Sequence, residues 1–300
     1  MPHITTRDQQ SLHVRVIGKG KPVLMLHGMG MHSSHWLPFV LPYLRHFRFY
    51  LPDLRGAGRS SHLRINQSDI FQNHMEDVQD IIAHFALKDF LLAGYSLGGS
   101  TALHLQRANG FADVRRYLHI DQTPCVGNRD NWNYGLFGER QDDVFSALQQ
   151  LKTLLDDHDH VERLADLPLP VRQQVTGILS DVFSRMLGRR AVGPLLKLSS
   201  RWPWLLSQFF PITHVQDIRA YLASYVSGGH DYRDSLRDCA VPVTVMVGMR
   251  SPLYHPAGQM AIADYAPQCR VVALKKSGHV PLLDEPVRFT RELGRFLHGT

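Results

Sequence analysis

Cysteine is scarce in this chain. It holds three in 300 residues, Cys125, Cys239 and Cys269, far apart and odd in number. That argues against a disulfide framework and for a reducing compartment. Long apolar runs are missing as well: none approaches the roughly 18 residues of a membrane span. The first residues, MPHITTRDQQSLHV, lack the basic region and apolar core of a secretory signal. The expectation is a soluble, cytoplasmic protein without a membrane span.

Charge is present but never blocked. Lys and Arg number 33 against 27 Asp and Glu, a formal net charge of +6, and Arg189-Arg190 and Lys275-Lys276 are only pairs. A scattered basic surface suits anionic small molecules better than nucleic acid. The 18 histidines show no zinc spacing; His158-Asp159-His160 reads as a charged helix end. A Gly-rich phosphate loop and a dinucleotide fingerprint are both lacking. Neither a cofactor nor a metal is implied, and the expected partner is a small-molecule substrate. No repeat or low-complexity tract appears.

What is present is a rhythm. Short apolar runs (Leu12–Ile17, Pro22–Leu26, Phe47–Leu51, Phe90–Ala93, Arg116–Ile120) alternate with segments of helical periodicity, such as His35–Tyr43, Asp77–Leu87 and 97–108. From about Asn128 to Asp238 only helical stretches remain: Val144–Leu155, Arg172–Leu187 and Val215–Val226. The alternation resumes with Val241–Val247, a helix near Ala257–Tyr265, strand Arg270–Leu274 and helix Pro286–Leu297. Strands alternating with helices predict an α/β fold, a mostly parallel sheet covered on both faces. The core is 1–127 plus 239–300, with 128–238 a helical insertion over the C-terminal edge, read as a lid.

The stretch FLLAGYSLGGST, Phe90 to Thr101, carries the clearest chemical signal. A buried strand gives way to a helix at Gly94-Tyr95-Ser96-Leu97-Gly98, a G-x-S-x-G. A serine between glycines at that junction sits on a turn too tight for larger neighbours. The turn lifts its Oγ above the sheet edge and aims the first helical N–H groups at whatever Ser96 attacks.

With HGMG at 27–30, DLRGAGRS at 53–60, GYSLGG at 94–99 and SGH at 277–279 in that order, the chain resembles the α/β-hydrolase superfamily along nearly its whole length outside the insertion. The resemblance implies Ser96 as nucleophile, with His279 as the general base it needs. It also implies an oxyanion hole from the backbone N–H groups of Leu97 and Met29. The acid departs from the common pattern. Members usually carry Asp in a G-x-x-D after the strand that here is VPVTVMV, and Ser251 fills that slot, a hydroxyl that has lost the role. Either the triad is dead or the acid lies elsewhere. Asp121 ends the strand after the elbow helix, where some members place their acid; Asp284 is the runner-up.

Asp53 and Arg55 read as loop-holding residues. Tyr95, His35 and Trp132 are candidates for substrate contact, although His35, with His32 and Trp36, reads equally well as helix start and core. A serine nucleophile excludes the relatives that use aspartate, such as epoxide hydrolases and haloalkane dehalogenases. It points to acyl transfer to water, the cleavage of an ester, thioester or related bond. The aromatics of the insertion (Trp132, Tyr134, Phe137, Trp202, Trp204, Phe209, Phe210) imply a largely apolar pocket or the packing of the insertion itself. Alternatives are an acyltransferase, a cofactor-free peroxidase-like enzyme on the same triad, and a non-catalytic hydrolase-like ligand sensor.

Overall fold

The strands pair in the order β1-β2-β4-β3-β5-β6-β7-β8. They run β1 (His3–Thr5), β2 (Ser11–Gly18), β3 (Lys21–Leu26), β4 (Phe47–Pro52), β5 (Phe90–Tyr95), β6 (Val114–Ile120), β7 (Val243–Gly248) and β8 (Cys269–Leu274). β1–β2 and β2–β4 are antiparallel and every other pairing is parallel. The structure, a computed structural model, describes residues 3–187, 201–202, 212–227 and 229–300.

Period-2 alternation divides the strand side chains between two cores. Phe90 and Leu92 of β5, with Val243, Val245 and Val247 of β7, face one side. There they meet helices α1 (Ile70–His84) and α2 (Leu97–Asn109). Leu91, Ala93 and Tyr95, with Met246, face the other, against Phe289, Leu293 and Phe296. Those last three belong to the closing helix (Pro286–His298), which buries one stripe. The fold is the expected mostly parallel α/β sheet.

Between β6 and β7 the longest elements among the described residues are three helices, α3 (Gln141–Asp156), α4 (Leu169–Leu187) and α5 (Val215–Val226). The closing helix is therefore α6. Val144, Leu148, Leu151 and Leu155 recur along one face of α3 and build a third apolar cluster. That cluster includes Leu253 and Tyr254 from the loop after β7, so the helices pack onto the C-terminal sheet edge. α5 is also tied to the core by polar bonds. Asp217 accepts from Ile65 N at 2.9 Å, Ser224 Oγ accepts from Ile70 N at 3.0 Å, and Tyr221 OH meets His74 Nε2 at 3.0 Å.

Two local expectations change. The helix read over His35–Tyr43 is three short pieces, Ser33–Trp36, Leu37–Val40 and Leu41–Tyr43; Pro38 and Pro42 each remove an N–H and break the run. The helix near Ala257–Tyr265 is likewise two turns, Pro256–Met260 and Ile262–Tyr265.

Candidate active site

All six residues of β5 are buried, and the chain turns sharply at Ser96 (φ 50°, ψ −115°) before α2 begins at Leu97. A positive φ on a residue with a Cβ is strained and persists only where the surroundings enforce it. The flanking glycines permit the turn. A Cβ on Gly94 would lie 2.5 Å from Gly98 O, and one on Gly98 would strike Leu26 O.

Ser96, His279 and Asp121 come together. Ser96 Oγ is 3.1 Å from His279 Nε2, and His279 Nδ1 is 2.5 Å from Asp121 Oδ2. The network assigns Nδ1–H as donor to the carboxylate and leaves Nε2 to accept from the serine. Asp121 has no exposed surface; Ser96 and His279 keep 8% each. A buried carboxylate needs donors, and this one has three besides His279. Gly248 N and Gln259 Nε2 donate to Oδ1 at 2.9 and 3.1 Å, and Ser251 Oγ donates to Oδ2 at 2.8 Å. Ser251, read as a slot without a role, is thus a ligand of the carboxylate that lies elsewhere. Asp284 is not at the imidazole: it accepts from Gly278 N at 2.8 Å and holds the histidine loop. Gln259 carried no sequence signal, since nothing local marks an amide that the fold buries beside a carboxylate.

The loop after β3 passes directly over the serine. A Cβ on Gly28 would come within 2.7 Å of the Tyr95 ring and 3.3 Å of Ser96 Cβ. His27 fastens that loop, with Nδ1 2.8 Å from Gly28 O and Nε2 accepting from Leu54 N at 2.9 Å. Burial pushes its pKa down to about 4, so the ring stays neutral and can serve both bonds. Leu97 opens α2, where an N–H has no intrahelical acceptor. Among the described residues neither Met29 N nor Leu97 N donates to a backbone acceptor outside the regular elements. Asp53 accepts from Ser33 N and Arg59 N, and Arg55 is paired in the interior with Asp77 and Asp8. Both hold loops, as their context suggested.

A cavity of about 100 Å³ opens at Ser96. Its walls include Met29, Phe137, Leu148, Leu179, Leu222 and Leu253, and among the described residues no charged side chain lines it. A second chamber of about 230 Å³ shares Met29, Ile212 and Tyr221 with it and adds His27, His32, Arg55 and Asp217.

The three candidates for substrate contact line neither space. Tyr95 is packed beneath His279, its OH donating to the His279 carbonyl at 2.9 Å. His35 is exposed, its Nδ1 accepting from His32 N at 3.1 Å. Trp132 is buried, with its indole N–H on Cys125 O at 3.1 Å and the Arg233 guanidinium 5.2 Å above its ring. Of the other aromatics, Phe137 lines the cavity, Tyr134 stacks on His255 and Trp202 is exposed. Trp204, Phe209 and Phe210 lie outside the described residues.

Residues 23–292 match the model of the alpha/beta hydrolase family. The pimeloyl-[acyl-carrier protein] methyl ester esterase of Nitrosomonas europaea is 26% identical over 283 residues, covering 93% of this chain and 96% of that protein. Its counterpart in Nitrosospira multiformis is 25% identical over 292 residues, 96% and 98% of the two chains. Among solved structures, a thermophilic esterase from Thermogutta terrifontis superposes with a TM-score of 0.71 at 20% identity, over 99% of this chain and 98% of that one.

Proposed function

Because the chain belongs to the alpha/beta hydrolase family, we propose that it hydrolyses carboxylic esters of small, largely apolar acyl groups through a Ser96–His279–Asp121 triad. The observation that carries this reading is the hydrogen-bonded chain from Asp121 through His279 to Ser96, ending at the mouth of an apolar cavity. His279 Nε2 takes the Ser96 proton as Oγ attacks the ester carbonyl, and Asp121 stabilises the imidazolium that forms. The N–H groups of Met29 and Leu97 receive the oxyanion, each donor worth about 3 kcal/mol. His279 then returns the proton to the departing alkoxide, and a water repeats the sequence on the acyl-enzyme.

The cavity walls select an uncharged acyl chain, and the polar chamber beyond Met29 receives the alcohol. Residues 128–238 act as the lid, since α3, α4 and α5 supply most of that wall. The sensor alternative rested on the hydroxyl at position 251; a carboxylate 2.5 Å from His279 supplies what that slot lacks and favours catalysis. The esterase names of the relatives support ester over amide chemistry. The free thiols of Cys125, Cys239 and Cys269 accord with a cytoplasmic location.

A fluorophosphonate probe tests the assignment. One equivalent should attach to Ser96 and abolish ester hydrolysis; labelling of another serine, or of none in folded protein, would overturn it.

A further inference from the structure

Three polar side chains from distant parts of the sequence meet where the chain returns from α5 toward β7. Asp69 caps α1, its Oδ1 accepting from Phe71 N at 2.9 Å. His104 lies on α2, eight residues beyond Ser96 and therefore about 12 Å along the helix. His230 follows α5. One ligand-type atom of each lies within 4.8 Å of the other two, and His230 Nε2 is 3.7 Å from Asp69 Oδ1. None of the three lines either chamber at Ser96.

His230 is 4% exposed, yet its Nε2 has no hydrogen-bond partner. A buried nitrogen left unmatched is costly and asks for an explanation. The rest of the ring is braced: Tyr232 OH lies 3.5 Å from Nδ1, and the Ser224 carbonyl sits beside the imidazole. The same hydroxyl is 3.3 Å from His104 Nδ1, while His104 Nε2 turns toward α1 and meets Gln72 Oε1 at 3.0 Å. One phenol thus supports the rear nitrogen of both imidazoles, and their front nitrogens gather with a carboxylate and an amide oxygen. Outer-sphere bracing of this kind is what metal-binding histidines need.

We infer that Asp69, His104 and His230 bind one divalent transition-metal ion, with Zn²⁺ the best match and Gln72 Oε1 or a water in the fourth position. Two imidazoles and a carboxylate suit zinc, whereas Mg²⁺ and Ca²⁺ favour all-oxygen sites. The ion joins the start of α1, the helix that follows the nucleophile and the return loop, so its effect falls on stability. One group must yield. Arg107 Nη2 lies 3.1 Å from His104 Nδ1 and its guanidinium is 4.9 Å from the Tyr232 ring centre. With the ion on Nε2, Nδ1 keeps its proton and can only donate. Arg107, which is exposed, then swings into solvent and the Tyr232 oxygen accepts.

The test titrates Zn²⁺ into chelator-stripped full-length protein against a chromophoric chelator, with thermal melts in parallel. One equivalent should be held, and the melting temperature should rise by about 5 °C at a hundredfold excess over Kd. His230→Ala should lose that equivalent, and its metal-free melt should fall as well, because the buried ring packed on Phe71 and Tyr232 is removed. Tyr232→Phe should weaken zinc about 10- to 100-fold, Arg107→Ala should tighten it, and His158→Ala/His160→Ala should change nothing. Should His230→Ala fail to fold, Asp69→Asn, which keeps an oxygen for the cap, reads the same loss. The inference is overturned if no equivalent is held, if it survives both His230→Ala and Asp69→Asn, or if Mg²⁺ gives the same shift.

Discussion

The C-terminal edge of the sheet and the helices above it are built by opposite means. At the edge, Asp121 alone takes four hydrogen bonds, and His27, Asp53 and Tyr95 each fasten a loop through directional contacts. Over the cavity, Leu148, Leu179, Val182 and Leu222 present alkyl surface that any chain of suitable volume can meet. Directional bonds hold atoms to tenths of an ångström, which proton transfer requires. Apolar contact is tolerant of shape, so it can change substrate range without disturbing the chemistry. α5 stands between the two, lining the cavity with Tyr221 while its polar residues grip the core.

The largest effects should come from breaking the edge. Asp121→Asn should lower kcat up to about 10⁴-fold on a p-nitrophenyl ester while circular dichroism is unchanged, since the imidazolium loses its counter-charge. Asp284→Asn, measured beside it, should be mild; a crippled Asp284 variant with a healthy Asp121 variant would reverse the assignment.

Acid should be the next stress on the edge. Burial lowers the pKa of both His27 and His119 from 6.5 to about 4. The unfolded chain takes up these protons first, so each contribution is complete above pH 6.5 and is lost as pH falls toward 4. Each histidine removes about 1.4 kcal/mol per pH unit over that window. Denaturant midpoints at pH 7.5 and 5 would show it, with a shallower fall for His119→Gln.

Smaller losses should follow from thinning the donors on Asp121. Ser251→Ala or Gln259→Leu removes one of its hydrogen bonds and should reduce kcat about tenfold, readable in the same ester assay. Smallest per step is the cavity wall. Each extra acyl methylene should raise kcat/KM by up to about fourfold, from roughly 0.8 kcal/mol of burial, and Leu148→Ala should move the preferred chain length without altering turnover of acetate. A flat profile would mean that the helices pack only on one another.

The elements that carried the site were legible because their signals are local. A buried strand, two close-fitting glycines and a helix start identify the turn at Ser96, and the end of β6 places Asp121 on the same edge. Other features depend on contacts between distant residues. β1 has three residues, too few for a period to show. Tyr95, His35 and Trp132 sit within or beside the motifs or in the insertion, and no local pattern tells which face of a turn meets solvent, backbone or substrate. Gln259 and the trio Asp69, His104 and His230 are assembled only by the fold, across spacings that no motif records.

One pairing on the sheet has a wider bearing. Tyr95 pairs with Ile120 in the β5–β6 ladder, so Ser96 and Asp121 are the next residues on adjacent parallel strands, and both have positive φ, 50° and 44°. The loop after β7 brings Ser251 to the same carboxylate. Adjacent parallel strands therefore end side by side at one imidazole, and the work is divided between them: the end of β6 brings the charge, and the loop after β7 brings a hydroxyl that anchors it.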